Sequence, residues 1–176
     1  DRQGKTDLFI AAALGDTDEV KRILERDSSN ISTADTSERN ATPLAISVYN
    51  GHRSVSELLL SRGANRRSMT SVYLTSALGD ADKVSSLLSE DISEIDTPSQ
   101  YMMTATPLYV AALHGDTDVV QALLDAGSKA VNVTSSEGLT PVQIAMAASM
   151  LRSDMAPTVQ LLLNHGNDET ADQTKD

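Results

Sequence analysis

The sequence predicts an all-α fold of five helix-turn-helix units joined by short β-hairpin-like fingers. Three observations predict it. All nine glycines fall at three phases of a unit keyed to Thr6, Thr42, Thr70, Thr106 and Thr140. Apolar residues recur in the same register, with Leu8, Leu44, Val72, Leu108 and Val142 two positions after each threonine, and Ile23-Leu24, Leu59-Leu60, Leu87-Leu88 and Leu123-Leu124 farther on. A small residue always stands five after it (Ala11, Ser47, Thr75, Ala111, Ala145), which lets neighbouring helices approach closely. Two short helical periodicities separated by glycine read as a helix, a tight turn and a second helix, and five repetitions of that plan read as a stacked array.

Each unit opens at its threonine, whose hydroxyl can accept a backbone N–H as N-cap. In three units proline follows (Pro43, Pro107, Pro141), which suits the first helical position. Thr-Pro is therefore punctuation by default, not a phosphorylation motif. The turn between helices carries Gly15, Gly51, Gly79 or Gly115, and the second helix ends near Asp27, Gly63, Asp91 or Gly127. The units span about 1–36, 37–64, 65–100, 101–134 and 135–168, with a polar tail over 169–176. Thr70 follows Gly63 by only seven positions, so the third unit should lack most of its finger. The fifth unit needs five extra residues around Met150 to Pro157, after which Pro157 opens the second helix, Val159 and Leu162-Leu163 return to register and Gly166 ends the helix. Met146 stands at a core phase, whereas Met150 and Met155 lie in the insertion.

The pattern resembles the ankyrin-repeat family over nearly the whole chain. The second unit carries it best, with Thr42-Pro43-Leu44, Asn50-Gly51-His52, Glu57-Leu58-Leu59-Leu60 and Gly63-Ala64-Asn65. The threonine separations of 36, 28, 36 and 34 bracket the family period of about 33. One departure follows Thr-Pro-Leu, where the family usually has histidine and this chain has Phe9, Ala45, Tyr73, Tyr109 and Gln143. A histidine network between repeats at that position is therefore not implied. The resemblance implies an ankyrin-repeat solenoid inside the cell that binds another protein, needs no cofactor and catalyses nothing itself.

Composition narrows the partner. A net charge of −11 and a pI near 4.6 argue against a nucleic-acid backbone, whose binding rests on lysine and arginine. No apolar run is long enough to cross a bilayer, no charged-then-apolar leader opens the chain, and the absence of cysteine excludes disulfides and thiolate metal sites. No phosphate-cradling glycine motif, nucleophile elbow or metal-ligand spacing is present; His52, His114 and His165 occupy three different phases. The Gly-Asp-x-Asp segments (Asp16 with Asp18, Asp80 with Asp82, Asp116 with Asp118) invite a calcium or acid/base reading. Their recurrence just before the second helix favours N-capping and helix-dipole stabilisation instead. Arg62, Arg66 and Arg67 form the one basic cluster, read first as a solvated loop and second as a contact for an acidic segment.

In ankyrin-like proteins the partner usually meets the hairpin tips and the end of the first helix. Carried over, those positions are Arg2, Gln3, Lys5, Ala13 and Leu14; Glu38, Arg39, Ala41, Tyr49 and Asn50; Arg66, Arg67, Met69, Ala77 and Leu78; Met102, Met103, Ala105, Leu113 and His114; and Ser136, Glu137, Leu139, Ala147 and Ala148. From these, Tyr49, Asn50, Arg66, Arg67, Met69, Leu78, Met102, Met103, Leu113 and His114 are the candidate partner-binding residues. Met102, Met103, Leu78, Leu113 and Tyr49 would form its apolar centre, suited to a helical or apolar peptide. Coverage of neighbouring repeats by the same side chains explains them equally well. The first helix has no polar residue from Leu8 to Leu14, although a terminal repeat normally needs a polar face. A segment cut from a longer array or multidomain protein is the expectation that follows, with a monomer as the expected state. Two rival functions stay open: a regulatory or substrate-recruiting arm of a larger enzyme, channel or receptor, and a small-ligand binder using Tyr49, Tyr73 or Tyr109.

Overall fold

The computed structural model describes residues 6–36, 41–67, 69–99 and 104–172, with side chains through Gly166. Among them are five helix pairs and no strand. The pairs are α1 (Asp7–Leu14) with α2 (Thr17–Arg26), α3 (Pro43–Tyr49) with α4 (Arg53–Ser61), α5 (Ser71–Leu78) with α6 (Ala81–Glu90), α7 (Pro107–His114) with α8 (Thr117–Asp125), and α9 (Pro141–Ser149) with α10 (Ala156–Asp172).

The five threonines start the five first helices as expected. Each hydroxyl accepts the backbone N–H three residues on, from Phe9, Ala45, Tyr73, Tyr109 and Gln143, at 3.1 to 3.4 Å. Gln143 returns the bond to the Thr140 N–H at 2.9 Å and closes a capping box. Replacing the buried Thr106 by alanine is expected to cost about 1 kcal/mol, read as a lower urea midpoint with unchanged slope. The second helices use aspartate: Asp16 accepts from Glu19 N–H and Asp80 from Lys83 N–H, both at 2.9 Å. Asp116 occupies the same cap position of α8 without making that bond.

Units one and three close their second helices without glycine. Asp27 and Asp91 take an extended backbone there, and each carboxylate accepts the N–H two residues on, from Ser29 and Ser93, at 2.8 Å. Those bonds hold both carboxyls below the usual aspartate range. Among the described residues the links before three of the first helices are closed at their bases by backbone hydrogen bonds. Asp35 N–H donates to Ala41 C=O at 2.8 Å, Ser99 N–H to Ala105 C=O at 2.9 Å, and Ser135 N–H to Leu139 C=O at 2.9 Å. In the short link of the third unit Met69 N–H donates to Arg66 C=O at 3.1 Å.

Two compact units emerge from the contacts, residues 1–69 and 70–176, meeting in sequence at the short link. In the first, Leu8, Phe9, Val20, Ile23, Leu44, Val48, Val55 and Leu59 are buried. In the second, Val72, Val84, Leu88, Leu108, Val119, Val120, Leu123, Val131, Met155 and Leu162 share one core.

The fifth helix pair departs from the sequence expectation in three ways. Met146, expected in the core, is 50% exposed, and Met155, expected in the insertion, is completely buried. Gly166 does not end the helix, because α10 continues to Asp172 and so runs into the segment read as a polar tail. The insertion explains the methionines. Its 3₁₀ turn, Ser153–Met155, folds back onto the α7–α8 turn, so that a Cβ on Gly115 would lie 2.5 Å from the Met155 sulfur. Thr117 and Thr158 hydroxyls share a 2.7 Å hydrogen bond on the same side, and Arg152 reaches the His114 carbonyl at 2.9 Å.

Candidate functional site

The candidate positions separate according to their phase in the repeat. One before the threonine, Ala41, Met69 and Ala105 are all buried. Met69 was expected on the open face; it faces inward with Ala41 and Ala105, so this phase is buried whether the preceding link is long or short. Seven and eight after the threonine, the first helices end in a mixture. In the first compact unit Leu14 is 74% exposed, Asn50 exposed and Tyr49 half-buried. In the second, Leu78 and Leu113 are half-buried, while Ala77 and His114 are buried.

His114 is therefore placed inside and not on the expected surface. Its Nδ1 lies 3.2 Å from the Ala77 carbonyl, which requires the tautomer with the proton on Nδ1. The same carbonyl is used in the first unit, where Asn50 Nδ2 donates to Ala13 C=O at 2.8 Å and His52 Nε2 meets it at 3.0 Å. Arg152 repeats the theme against His114 C=O. Polar ties between successive first helices thus exist, rebuilt from residues eight and ten after the threonine and from the insertion. They satisfy the C-terminal carbonyls that a short helix leaves without partners. Arg152 is itself held by Asp154 at 2.7 Å, and that bond raises its pKa while keeping the Asp154 carboxyl low.

Tyr73 and Tyr109 are buried, and burial pushes the Tyr109 phenol above its usual range. Neither can line an open ligand site, so the small-ligand reading built on the tyrosines loses two of its three residues. Arg62, Arg66 and Arg67 are exposed, and Arg67 adopts a positive φ of 52° with its N–H on Asn65 Oδ1 at 2.7 Å. Met102 and Met103, with Arg2, Gln3, Lys5, Glu38 and Arg39, lie outside the described residues.

Two family models match the chain: one described as ankyrin repeats in three copies over residues 69–173, and one described as an ankyrin repeat over residues 39–71. The chain belongs to the ankyrin-repeat family. No curated protein matches it. Ahead of the matched residues, α1 and α2 follow the ankyrin plan too, with the Thr6 cap, a left-handed Gly15 and the Asp16 cap. Ankyrin repeats are protein-interaction modules as a class and are typically non-catalytic. Among the described residues no helix is long and apolar enough to cross a membrane.

Sequence reasoning missed the apolar edge of the last ankyrin pair. Three and six after the threonine, Phe9 and Ala12 of α1, Tyr73 and Ser76 of α5, and Tyr109 and Ala112 of α7 are all buried. The equivalent residues of α9 are Gln143, exposed, and Met146, half open. Every one of these helices packs on its own second helix, and α1, α5 and α7 also pack on the next first helix. Among the described residues no following first helix packs on α9. Met150 and Leu151, in the turn directly after α9, are 87% and 90% exposed. A signal for it was present in Gln143, the one polar residue at a phase otherwise occupied by phenylalanine, alanine and tyrosine.

Proposed function

We propose that the chain is a non-catalytic protein-interaction module that binds an apolar, helical segment of a partner protein. The open face of α9 carries this reading. Met146 presents a large apolar side chain to water at a phase where preceding first helices receive a neighbouring helix, and Met150 and Leu151, in the turn directly after α9, are almost fully exposed. Large exposed apolar patches mark interaction surfaces, and methionine adapts to irregular partners. Tyr49 and Asn50 in the first compact unit, and Leu78 and Leu113 in the second, belong to the same reading as exposed or half-buried ends of first helices. Arg66 and Arg67 would meet acidic groups, while Met102 and Met103 stay in it from their phase alone. The net charge of −11 favours a neutral or basic partner and disfavours nucleic acid.

A second reading rests on the same face: its repeat-like geometry also suits a segment of a larger polypeptide, which would make the module a regulatory or recruiting arm. Substituting Met150→Glu together with Leu151→Glu separates function from fold, because both side chains are almost fully exposed. Quantitative affinity purification with the intact protein is expected to show a bound partner depleted at least about tenfold by the double substitution, with helicity unchanged. Equal retention of every captured protein would remove α9 as the binding face.

A further inference from the structure

We propose that Thr97 is a phosphorylation site for a proline-directed protein kinase, set apart from the other Thr-Pro sequences by the fold itself. Four of the five prolines follow threonine, at Thr42, Thr97, Thr106 and Thr140. In three of these the hydroxyl oxygen is an N-cap, accepting from Ala45, Tyr109 and Gln143 N–H. Thr42 and Thr106 are also buried, and Thr140 is half-buried inside a capping box. A kinase cannot reach those oxygens without opening the start of a helix.

Thr97 is different in each respect. Both it and Pro98 are exposed and lie outside every helix, in the link that follows the 3₁₀ turn Ile92–Glu94. Its Oγ1 caps no helix; it donates to the Ser93 carbonyl at 3.2 Å, a single bond at the surface. The transfer is simple in its balance. Threonine Oγ1 attacks the terminal phosphorus of a nucleoside triphosphate, the bond to the β-phosphate oxygen breaks to release the diphosphate, and the hydroxyl proton passes to the base of the kinase.

The position gives the modification something to act on. A phosphorylated Oγ1 has no proton, so the bond to Ser93 C=O is lost and a charge of about −1.5 to −2 is added. The next residue toward the N-terminus, Asp96, joins this link to the following one, accepting from the Ser128 hydroxyl and from Lys129 N–H at 2.8 Å. Glu94 reaches the start of α5, accepting from Val72 N–H at 3.3 Å. A dianion at Thr97 therefore enters a turn whose neighbours tie two other segments together.

The intact folded protein would be incubated with a proline-directed kinase and ATP, with kinase activity verified in the same tube on a standard Thr-Pro substrate, and mapped by mass spectrometry. Phosphate is expected on Thr97, with Thr42, Thr106 and Thr140 modified at least about tenfold more slowly, because a capped threonine must first be freed by local opening. Thr97→Val should abolish the fast incorporation without changing helicity. Amide exchange at Thr97, whose N–H donates to Glu94 C=O at 3.1 Å, should quicken in the phosphorylated chain. Absence of phosphate at Thr97, or equal incorporation at the three caps, would overturn the assignment of the site; unchanged exchange would overturn its effect on the turn.

Discussion

Gly115→Ala is expected to destabilise the protein by about 3 kcal/mol, combining roughly 1–2 for a left-handed residue with a Cβ and 1–3 for overpacking. Gly115 ends α7 at φ 76°, where its N–H closes the helix onto the Ala111 and Ala112 carbonyls. A Cβ there would meet the Met155 sulfur at 2.5 Å, well inside contact distance, with the Met155 methyl in ordinary contact at 3.4 Å. Met155 is completely buried and has little room to withdraw. Gly127 supplies the comparison: its φ is 92°, but nothing lies within 4 Å of an added Cβ. Gly127→Ala should therefore cost only the backbone contribution of about 1–2 kcal/mol. Urea unfolding of both variants measures the difference, and equal losses would mean that the Met155 contact has no energetic weight.

Met155→Ala should cost about 3 kcal/mol, within the range of about 2–5 for truncating a buried methionine. For a chain of this size each kcal/mol lowers the melting temperature by about 2–4 °C. Met146→Ala, on the half-open face of α9, should change stability by less than about 0.5 kcal/mol. The contrast reverses the ranking that repeat phase assigns to these two methionines. Gly115 and Met155 should also be coupled, because the clash requires both partners. In a Met155→Ala background, Gly115→Ala should lose its overpacking cost, giving a coupling of about 1–2 kcal/mol in a double-mutant cycle. Strict additivity would show that the added methyl is absorbed by backbone movement and not by the sulfur.

These two variants bear on function because the insertion does two things at once. Met155, Arg152 and Thr158 fasten it to the α7–α8 turn through the Gly115 contact, the His114 carbonyl and the Thr117 hydroxyl. Met150 and Leu151, a few residues earlier, are left almost fully exposed. Loss of the anchor would alter the presentation of the open face without touching a residue on it. A reduced partner affinity in Met155→Ala, measured where the variant remains folded, would be the expected consequence.

The ankyrin plan was legible because its determinants are local. Threonine at the N-cap, proline at the first helical position, glycine or aspartate at the turns and apolar pairs on the second helices each act within a few residues of themselves. The threonine and the apolar pairs recur five times and the proline three, so every repetition checks the others. The shortened link was legible for the same reason: six residues between Gly63 and Thr70 are too few for the longer link of the other units.

The candidate surface was legible only in part. Phase places a residue on a helix, but burial depends on which helix stands next to it. Met69 and Ala41 share a phase that turns inward, and His114 is drawn inside by the Ala77 carbonyl of the preceding first helix. Gly166 shows the same limit at the level of secondary structure, since it lies within α10 although its counterparts Gly63 and Gly127 follow their helices at positive φ. By itself, then, the sequence determined the fold family, the starts of the five helix pairs and the position of the insertion, because capping, turn chemistry and periodicity are short-range. Tertiary structure alone decided that Met155 is core, that Met146, Met150 and Leu151 are open to water, and that Thr97 is the exposed Thr-Pro, because burial is a property of neighbours far apart in the chain.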